Sequence, residues 1–334
     1  MAVSLPGPED LHQGAPSADR AAARTGVACQ RDAAGANAAP AVLVVGASGF
    51  LGAHVRRRFL AAGVHVRGTC GRHAGPGLDA VDLLDAQATT RYVRSLQPQP
   101  DVVVWCAKGH REDDDEQSLN ATGLCALVRA VPAATRLIFL STDGVLPGTG
   151  GPHAEGVTPL PFSGGSSIAR YTNGKLWAER WLGRASPLAG TTTIVRTGVI
   201  YGQDVSGHWD ARTAAVLQDF AAGAPFSRAA NLLRTFVHVE DLASALCELA
   251  ALEMPGILHA GPERGESHYT FALAIARAFG LPAQLLRPHS IPPEDVAERE
   301  VRLDTRLRTS AIRAQIATRF HSVDEVFARV ARQG

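Results

Sequence analysis

Apolar runs and amphipathic segments alternate along the first half of the chain, beginning at Ala41. The runs have the length and composition of buried strands, and the segments between them show the 3.6-residue period of helices. The predicted strands cover 41–45, 64–69, a short run ending at 82, 101–106, 137–141 and 192–196. The predicted helices between them cover 50–62, 86–96, 117–130 and 168–183. This alternation predicts βαβ units with right-handed crossovers, and hence an α/β fold with a doubly wound parallel sheet.

The pattern changes on both sides of this region, which divides the chain into three parts. Residues 1–40 are rich in Ala, Gly, Pro and Arg without a sustained period, and we expect a disordered tail. Residues 41–200 carry the predicted sheet, and residues 201–334 are expected to form a smaller C-terminal lobe. Further helices are predicted near 211–222, 240–252, 269–279 and 323–332. Around 234–252 we expect the chain to cross back to the first domain.

Composition and charge exclude several classes of protein. The 334 residues include 33 Lys and Arg against 32 Asp and Glu, so the net charge of +1 provides no basic excess for nucleic acid. The 46% of hydrophobic residues suffice for a core, but no apolar run reaches the roughly 18 residues of a membrane span. Five scattered cysteines without a CxxC pair disfavour disulfides and a structural zinc site. We therefore expect a cytoplasmic protein that binds no nucleic acid, membrane or metal.

The turn between the first predicted strand and the first predicted helix contains three glycines, Gly46, Gly49 and Gly52. In such a GxxGxxG turn the first glycine permits a tight bend and the second lets the backbone approach a pyrophosphate. The third lets the helix pack on the strand. The free N–H groups and the dipole of the helix N-terminus then favour the anion. The turn predicts a Rossmann-like dinucleotide-binding domain over 41–200, in preference to a glycine turn without a ligand.

The end of the second strand bears on the choice between NADP(H) and NAD(H). NAD specificity usually rests on an acidic residue there, and residues 67–72 contain none. Arg67 or Arg72 would meet a 2′-phosphate, which favours NADP(H), although both could equally be solvated loop residues. Asp82 follows the third strand, where an acid reaches the adenine or caps the next helix.

A tyrosine and a lysine stand four residues apart in the predicted helix over 168–183. At this spacing Tyr171 and Lys175 share one helix face. A phenol has a pKa of about 10, and a neighbouring ammonium lowers it, so that the tyrosine can exchange a proton with an alcohol oxygen during hydride transfer. Thr142 ends the fifth strand, at the edge where doubly wound sheets bind ligands. Its hydroxyl would hold a substrate carbonyl against Tyr171, unless it only ends the strand in a turn.

Together these features resemble the extended short-chain dehydrogenase/reductase family, of the NAD-dependent epimerase/dehydratase type, over about residues 41–334. Three further segments are similar to signatures of that family: 119–123, 195–202 and 234–241. Within the family, four segments look most like dTDP-4-dehydrorhamnose reductases: 141–143, 269–272, 287–288 and 303–305. The resemblance implies NAD(P)H-dependent reduction of a nucleotide-activated keto-sugar by a protein with a substrate-binding C-terminal lobe. Homodimers also occur in this family.

The roles of individual residues are carried over from this resemblance position by position. It implies Thr142, Tyr171 and Lys175 as the catalytic set, with Tyr171 as proton donor and Lys175 also on the nicotinamide ribose. It implies Asn120 and Arg234 as substrate-binding residues, with Arg234 on the diphosphate. The cofactor contacts that it implies are Gly46, Ser48, Gly49, Phe50, Leu51, Gly52, Arg72, Asp82, Leu83, Cys106, Ala107, Tyr171 and Lys175.

Two departures from the family pattern bear on the substrate. Gly144 stands where sugar-nucleotide dehydratases carry a glutamate, which disfavours dehydration, and the segment 162–170 is longer than usual and borders the active site. Two alternatives stay open. One is a sugar-nucleotide epimerase with retained NAD, which uses the same residues. The other is a non-catalytic NADP-binding regulatory subunit.

Overall fold

The structure is a computed structural model that describes residues 40–71, 75–109, 116–298 and 300–332. The predicted tail thus lies outside the described residues except for its last position. The strands are β1 (Val42–Val45), β2 (Val66–Cys70), β3 (Asp79–Ala80), β4 (Val102–Trp105), β5 (Arg136–Thr142), β6 (Thr192–Thr197), β7 (Val199–Tyr201), β8 (Phe226–Ala229), β9 (Leu233–Arg234), β10 (Phe236–His238), β11 (Gly256–Ala260), β12 (Glu266–Ser267) and β13 (Leu286–His289). The helices are α1 (Phe50–Ala61), α2 (Ala86–Ser95), α3 (Glu116–Leu119), α4 (Cys125–Ala130), α5 (Ser167–Arg184), α6 (Ala211–Ala221), α7 (Val239–Leu249), α8 (His268–Ala278), α9 (Pro293–Glu298), α10 (Ser310–Arg313) and α11 (Val323–Ala331).

The central sheet has seven strands in the order β3-β2-β1-β4-β5-β6-β11, and all neighbours are parallel. The chain builds outward from β1 to β3 and then starts again on the other side of β1, as in a doubly wound sheet. β1 and β4 are in register from Val42 opposite Val102 to Val45 opposite Trp105, so their carboxyl ends lie side by side. The predicted α/β fold class is confirmed, and ligands of such sheets bind at this reversal of strand order.

Two apolar cores cover the two faces of the sheet. Successive side chains of a strand point to opposite faces. Val42 and Val44 therefore pack in one core with residues of α1 and α7, whereas Leu43 and Val45 pack in the other with residues of α4 and α5. All four residues of β1 are buried. Burial on both faces explains why this strand is a continuous apolar run in the sequence.

A third core lies in the C-terminal part of the chain. It brings together Tyr201, Phe236, Phe271 and Phe327 from β7, β10, α8 and α11. The rings of Phe236 and Phe271 stack with their centres 4.3 Å apart, and the ring of Tyr201 meets that of Phe271 edge-on at 5.3 Å. The division that we expect near residue 200, between a dinucleotide-binding domain and a substrate-binding lobe, stays a prediction.

Two features differ from the sequence pattern. β11 adds a seventh strand to the main sheet, paired with β6 from Gly256 opposite Thr193 to Ala260 opposite Thr197. The predicted helix over 117–130 is split by a π-helical turn over Asn120–Leu124, a distortion that is frequent at functional sites. Within the described residues, no helix has both the length and the apolar character that a membrane span requires.

Candidate active site

The glycine loop after β1 is packed so tightly that two of its glycines leave no room for a side chain. Gly46 has a φ of +81°, and a Cβ there would lie 2.8 Å from the backbone of Ala107, just after β4. A Cβ on Gly52 would lie 2.2 Å from the carbonyl oxygen of Gly46. Helix α1 begins after Gly49 with no side-chain cap and no acidic residue in its first turn. This cradle, with the positive end of the helix dipole behind it, fits a pyrophosphate.

The other predicted contacts of this loop differ in exposure. Ser48 is exposed, and Phe50 is half-buried with its ring edge-on to that of His54 at 6.0 Å. Leu51 is buried in the sheet core. The side chains of Ser48 and Phe50 therefore lie at the surface of the loop, whereas Leu51 supports the loop from below.

Arg67 of β2 forms an ion pair with a carboxylate of the same protein. Arg67 donates from Nε and Nη2 to the two carboxylate oxygens of Asp79, at 3.0 and 2.9 Å. The hydroxyl of Tyr92 donates to the same carboxylate at 2.8 Å. This bidentate pair occupies the fork with which an arginine would bind a phosphate. Arg72 lies outside the described residues, so its contact with a 2′-phosphate stays a prediction.

The two acids after β3 have different surroundings. Asp85 accepts hydrogen bonds from the backbone of Gln87 and Ala88 and thereby caps α2. Asp82 is exposed and accepts one hydrogen bond from the backbone of Leu84. Asp82 therefore remains at the surface for the predicted adenine contact. Its neighbour Leu83 is half-buried, and its carbonyl oxygen lies against Gly123, where a Cβ would come within 2.5 Å.

Thr142, Tyr171 and Lys175 come together at the carboxyl ends of β4 and β5. The Lys175 ammonium lies 3.4 Å from the carbonyl oxygen of Ala107, the residue against which Gly46 packs. The same ammonium is 6.0 Å from the centre of the Tyr171 ring. The Thr142 hydroxyl lies close enough to the Tyr171 phenol to act on its pKa. The structure therefore brings the three residues of the predicted catalytic set together beside the glycine loop.

Lys175 is paired with Glu116 of α3, a partner that no pattern in the sequence predicts. Their ammonium and carboxylate are 2.8 Å apart, and the two side chains are 3% and 1% exposed. Glu116 also accepts hydrogen bonds from the backbone of Gly109 at 2.8 Å and from the Asn120 amide at 3.3 Å. The only signal in the sequence is that Glu116 lies one helical turn before Asn120.

Asn120 lies inside the protein, behind α5. It is fully buried, and its amide donates to the carbonyl oxygen of Gly174 at 3.3 Å as well as to Glu116. In this position it ties the π-helical turn to α5 next to Lys175. The described contacts of Asn120 thus act on the helix that carries Tyr171, and its predicted contact with substrate stays a prediction.

The pKa of Tyr171 is raised above its usual value, which is opposite to the direction expected from the Tyr/Lys pair. Burial of the phenol is the largest cause, followed by the negative charges of Glu116 and Asp143. The hydrogen bond with Thr142 acts in the other direction. The expected lowering fails for a physical reason: Glu116 compensates the charge of Lys175 at close range, and the phenolate would have to form away from water.

Asp143 and Arg234 form a second charged centre next to Thr142. Arg234 Nε lies 3.9 Å from Asp143 Oδ2, and the Thr305 hydroxyl donates to the same oxygen at 2.6 Å. Burial raises the pKa of the Asp143 carboxyl, although the charge of Arg234 and the Thr305 hydrogen bond lower it. Arg234 also donates to the carbonyl oxygens of Leu233 and Arg302, at 2.7 and 2.6 Å. Its guanidinium is therefore oriented by backbone groups beside the end of β5.

Arg234 belongs to a wider group of positive charges in the C-terminal part. Arg212 and Arg228 lie close enough to act, with Arg234, on the imidazole of His268. Burial and these three charges lower the pKa of His268 to about 3. The imidazole is thus neutral at physiological pH. Arg212 and Arg234 also lie close enough to interact with Asp143 at the end of β5, whereas Arg228 is paired with Asp219.

The lengthened segment 162–170 is held in place from two sides. The Asn173 side chain makes two hydrogen bonds with the backbone of Phe162, at 2.8 and 2.9 Å. The guanidinium of Arg302 lies 3.8 Å from the centre of the Phe162 ring. The segment ends in α5, whose N-cap is Ser166. Within the described residues, no group of three His, Cys, Asp or Glu is placed to hold a metal ion.

The family of the chain follows from a comparison over its whole described length. The sequence model of the RmlD substrate-binding domain family matches residues 40–332. This chain belongs to that family. The match confirms the predicted resemblance to extended short-chain dehydrogenases/reductases.

The chain is similar in sequence to a subunit of one enzyme and similar in structure to enzymes of another kind. Methionine adenosyltransferase 2 subunit beta of Rattus norvegicus is 31% identical over 275 residues, which cover 77% of this chain and 78% of the rat protein. A hypothetical dTDP-4-dehydrorhamnose reductase from Sulfolobus tokodaii has a TM-score of 0.69 at 24% identity, covering 85% of this chain and 98% of its own. The Bacillus anthracis dTDP-4-dehydrorhamnose reductase, solved in complex with NADP, has a TM-score of 0.69 at 19% identity, covering 88% and 99%. At these identities the two structures establish a shared fold.

Proposed function

We propose that this chain is a reductase that holds NADP(H) at the glycine loop and reduces the keto group of a nucleotide-activated sugar. The placement of Tyr171 and Lys175 carries the proposal. Lys175 contacts the carbonyl oxygen of Ala107, and Ala107 also closes the glycine loop against Gly46. A proton donor and a dinucleotide cradle therefore lie at the same edge of the sheet, where doubly wound folds bind their ligands.

The residues of this chain would bind the keto group and protonate it. The cofactor, when bound, supplies the hydride. Thr142 donates a hydrogen bond to the carbonyl oxygen, and Tyr171 gives its phenolic proton to that oxygen as negative charge develops there. Since its pKa is raised, Tyr171 is protonated at neutral pH, which is the state that a proton donor needs. The reduction therefore leaves an alcohol on the substrate and a phenolate on Tyr171, which regains a proton from solvent.

The arginines near the end of the sheet support an anionic substrate. Arg212, Arg228 and Arg234 act together on His268. Among the described residues, Arg234 is paired with Asp143 and Arg228 with Asp219. A nucleoside diphosphate carries negative charges that such a group attracts, and arginine forks match phosphate oxygens. These charges favour a nucleotide-activated sugar over a neutral carbonyl compound. The preference for NADP(H), a homodimer and a cytoplasmic location stay predictions.

The test is the oxidation of NADPH and NADH by the purified full-length protein across a panel of keto-sugar nucleotides, followed by absorbance. Tyr171→Phe should lower kcat by about a hundredfold or more, because it removes the proton donor, and should leave the Kd of NADP+ nearly unchanged. Absence of turnover on the whole panel, or undiminished turnover of Tyr171→Phe, contradicts the proposal. Tightly retained NAD without net consumption of added cofactor would point to an epimerase.

A second candidate is a dinucleotide-binding regulatory subunit. The curated relative at 31% identity is named as the beta subunit of a methionine adenosyltransferase. The test is co-elution of this chain with a methionine adenosyltransferase catalytic subunit in gel filtration. A stable complex that changes the synthetase activity, with no NADPH oxidation, would favour this candidate.

A further inference from the structure

The ion pair between Glu116 and Lys175 depends on a close approach of two helices. A Cβ on Gly174 of α5 would lie 2.5 Å from the backbone nitrogen of Gln117 and 2.7 Å from the Cβ of Glu116. Only a glycine at this position lets α3 come so near. The approach brings the Glu116 carboxylate under the Lys175 ammonium, and it also lets Asn120 reach the Gly174 carbonyl oxygen.

Glu116 has no other cation among its described contacts, and its other partners are neutral donors. The backbone N–H of Gly109 and the amide of Asn120 complete its hydrogen bonds. Lys175 is placed between this carboxylate, the carbonyl oxygen of Ala107 and the ring of Phe139, whose centre is 4.8 Å from the ammonium. A buried pair with these contacts is strongly coupled, since removal of one partner leaves a charge without compensation.

Five polar groups face the Tyr171 phenol. Thr142 and Asp143 approach from the end of β5, Glu116 from α3 and Lys175 from its own helix. The fifth group is Lys108, just after β4. Its side chain is exposed, and its ammonium lies 5.0 Å from the centre of the Tyr171 ring.

We propose that Glu116 is a positioning residue, which anchors Lys175 beside the glycine loop and cancels its charge at Tyr171, so that Tyr171 keeps its proton. This inference rests on the proposed role of Tyr171 as proton donor. In a reductase, the protonated phenol is the productive form, and a free ammonium at Lys175 would favour the phenolate. Glu116 thereby biases the site toward reduction of a carbonyl over oxidation of an alcohol.

The test reads the ionisation of Tyr171 directly and needs neither cofactor nor substrate. The four tyrosines of the full-length protein are labelled with ¹³C at Cζ and titrated by NMR from about pH 7 to about pH 11, and Tyr171→Phe assigns the resonance. In the wild-type protein we expect Tyr171 to remain a phenol over this range. In Glu116→Gln the Lys175 ammonium is no longer compensated, so we expect a midpoint lower by at least about one unit and a Tyr171 resonance that begins to move toward that of a phenolate below about pH 11. In Glu116→Gln/Lys175→Met the midpoint should return toward the wild-type value, because both charges of the pair are gone.

Two results would overturn the proposal. One is a wild-type Tyr171 that ionises below about pH 9, as a phenol beside an uncompensated ammonium would. The other is a Glu116→Gln protein whose Tyr171 titrates as in the wild type. If Glu116→Gln does not fold, Glu116→Ala is titrated in its place, and we expect the same appearance of phenolate because it removes the same charge. Because the readout is spectroscopic, loss of the proposed NADPH oxidation would refute the proposed function without changing this result. Where turnover is found, Glu116→Gln should also move the alkaline limb of the kcat profile to lower pH.

Discussion

Arg196 of β6 and Glu179 of α5 form a buried ion pair. Arg196 donates from Nε to Glu179 Oε1 at 3.0 Å and from Nη2 to Oε2 at 2.7 Å, and the two side chains are 1% and 4% exposed. The hydroxyl of Ser141, next to Thr142, donates to the same carboxylate. One carboxylate therefore ties α5, which carries Tyr171, to β5 and β6.

Glu179→Gln should cost about 3–5 kcal/mol in the free energy of unfolding, because it leaves the Arg196 guanidinium buried without a counter-charge. The measurement is urea denaturation followed by circular dichroism. Glu179→Leu/Arg196→Met removes both charges and should recover most of the loss. A single variant as stable as the wild type, or a double variant less stable than the single, would show that the pair does not hold α5 in this way.

Gly52→Ala should weaken the binding of NADP+ by about tenfold or more. Its Cβ would lie 2.2 Å from the carbonyl oxygen of Gly46, so the loop has to open and the cradle for the pyrophosphate is lost. The affinity is measured by isothermal titration calorimetry. The matched control is Gly183→Ala in α5, where no atom lies within 4 Å of the new Cβ. This control should bind NADP+ normally and be more stable by up to about 1 kcal/mol. Equal NADP+ affinity of the two variants would show that the glycine loop does not bind the cofactor.

Arg72→Met should lower the affinity for NADP+ by about tenfold while changing that for NAD+ little, since only NADP+ has a 2′-phosphate. Arg67→Met should leave the ratio of the two affinities unchanged, because the Arg67 guanidinium is already bound to Asp79. Both ratios come from calorimetric titrations with the two cofactors. A changed ratio in Arg67→Met, with none in Arg72→Met, would reverse this assignment.

The stability of the protein should decrease when the pH falls below about 6.5. His259 is fully buried, and its burial and the charge of Arg196 lower its pKa to about 4. The unfolded state then takes up a proton at a higher pH than the folded state, so stability is lost progressively between about pH 6.5 and pH 4. The contribution of this residue is up to about 3 kcal/mol.

The measurement is the free energy of unfolding by urea at several pH values between about 7 and 4.5. His259→Gln should reduce the slope in part, since one titrating group is removed while His268, whose pKa is also lowered, continues to contribute. His208→Gln is the control, because the His208 side chain is 81% exposed and its loss should leave the slope as it is. An unchanged slope in His259→Gln would assign the acid sensitivity to other groups.

Local patterns predicted most of the elements that position the site. The expected strand over 137–141 is β5, and the expected helix over 168–183 is α5, each within one residue at either end. The glycine spacing and the four-residue spacing of Tyr171 and Lys175 were readable because both depend on the geometry of a single turn or helix. β11 was not predicted, since a five-residue run shows no sign of which sheet it will join.

Local sequence patterns were enough to predict the βαβ alternation, the glycine turn of the candidate dinucleotide site and the helix face that carries the candidate proton donor. Each of these follows from side-chain periodicity or from backbone freedom within a few residues. Three contacts became visible in the folded chain alone: Glu116 with Lys175, Asp79 with Arg67, and the Asn120 amide with the backbone of α5. Those pairings join segments that are distant in the chain, and they depend on how closely the helices and strands pack, which no local pattern records.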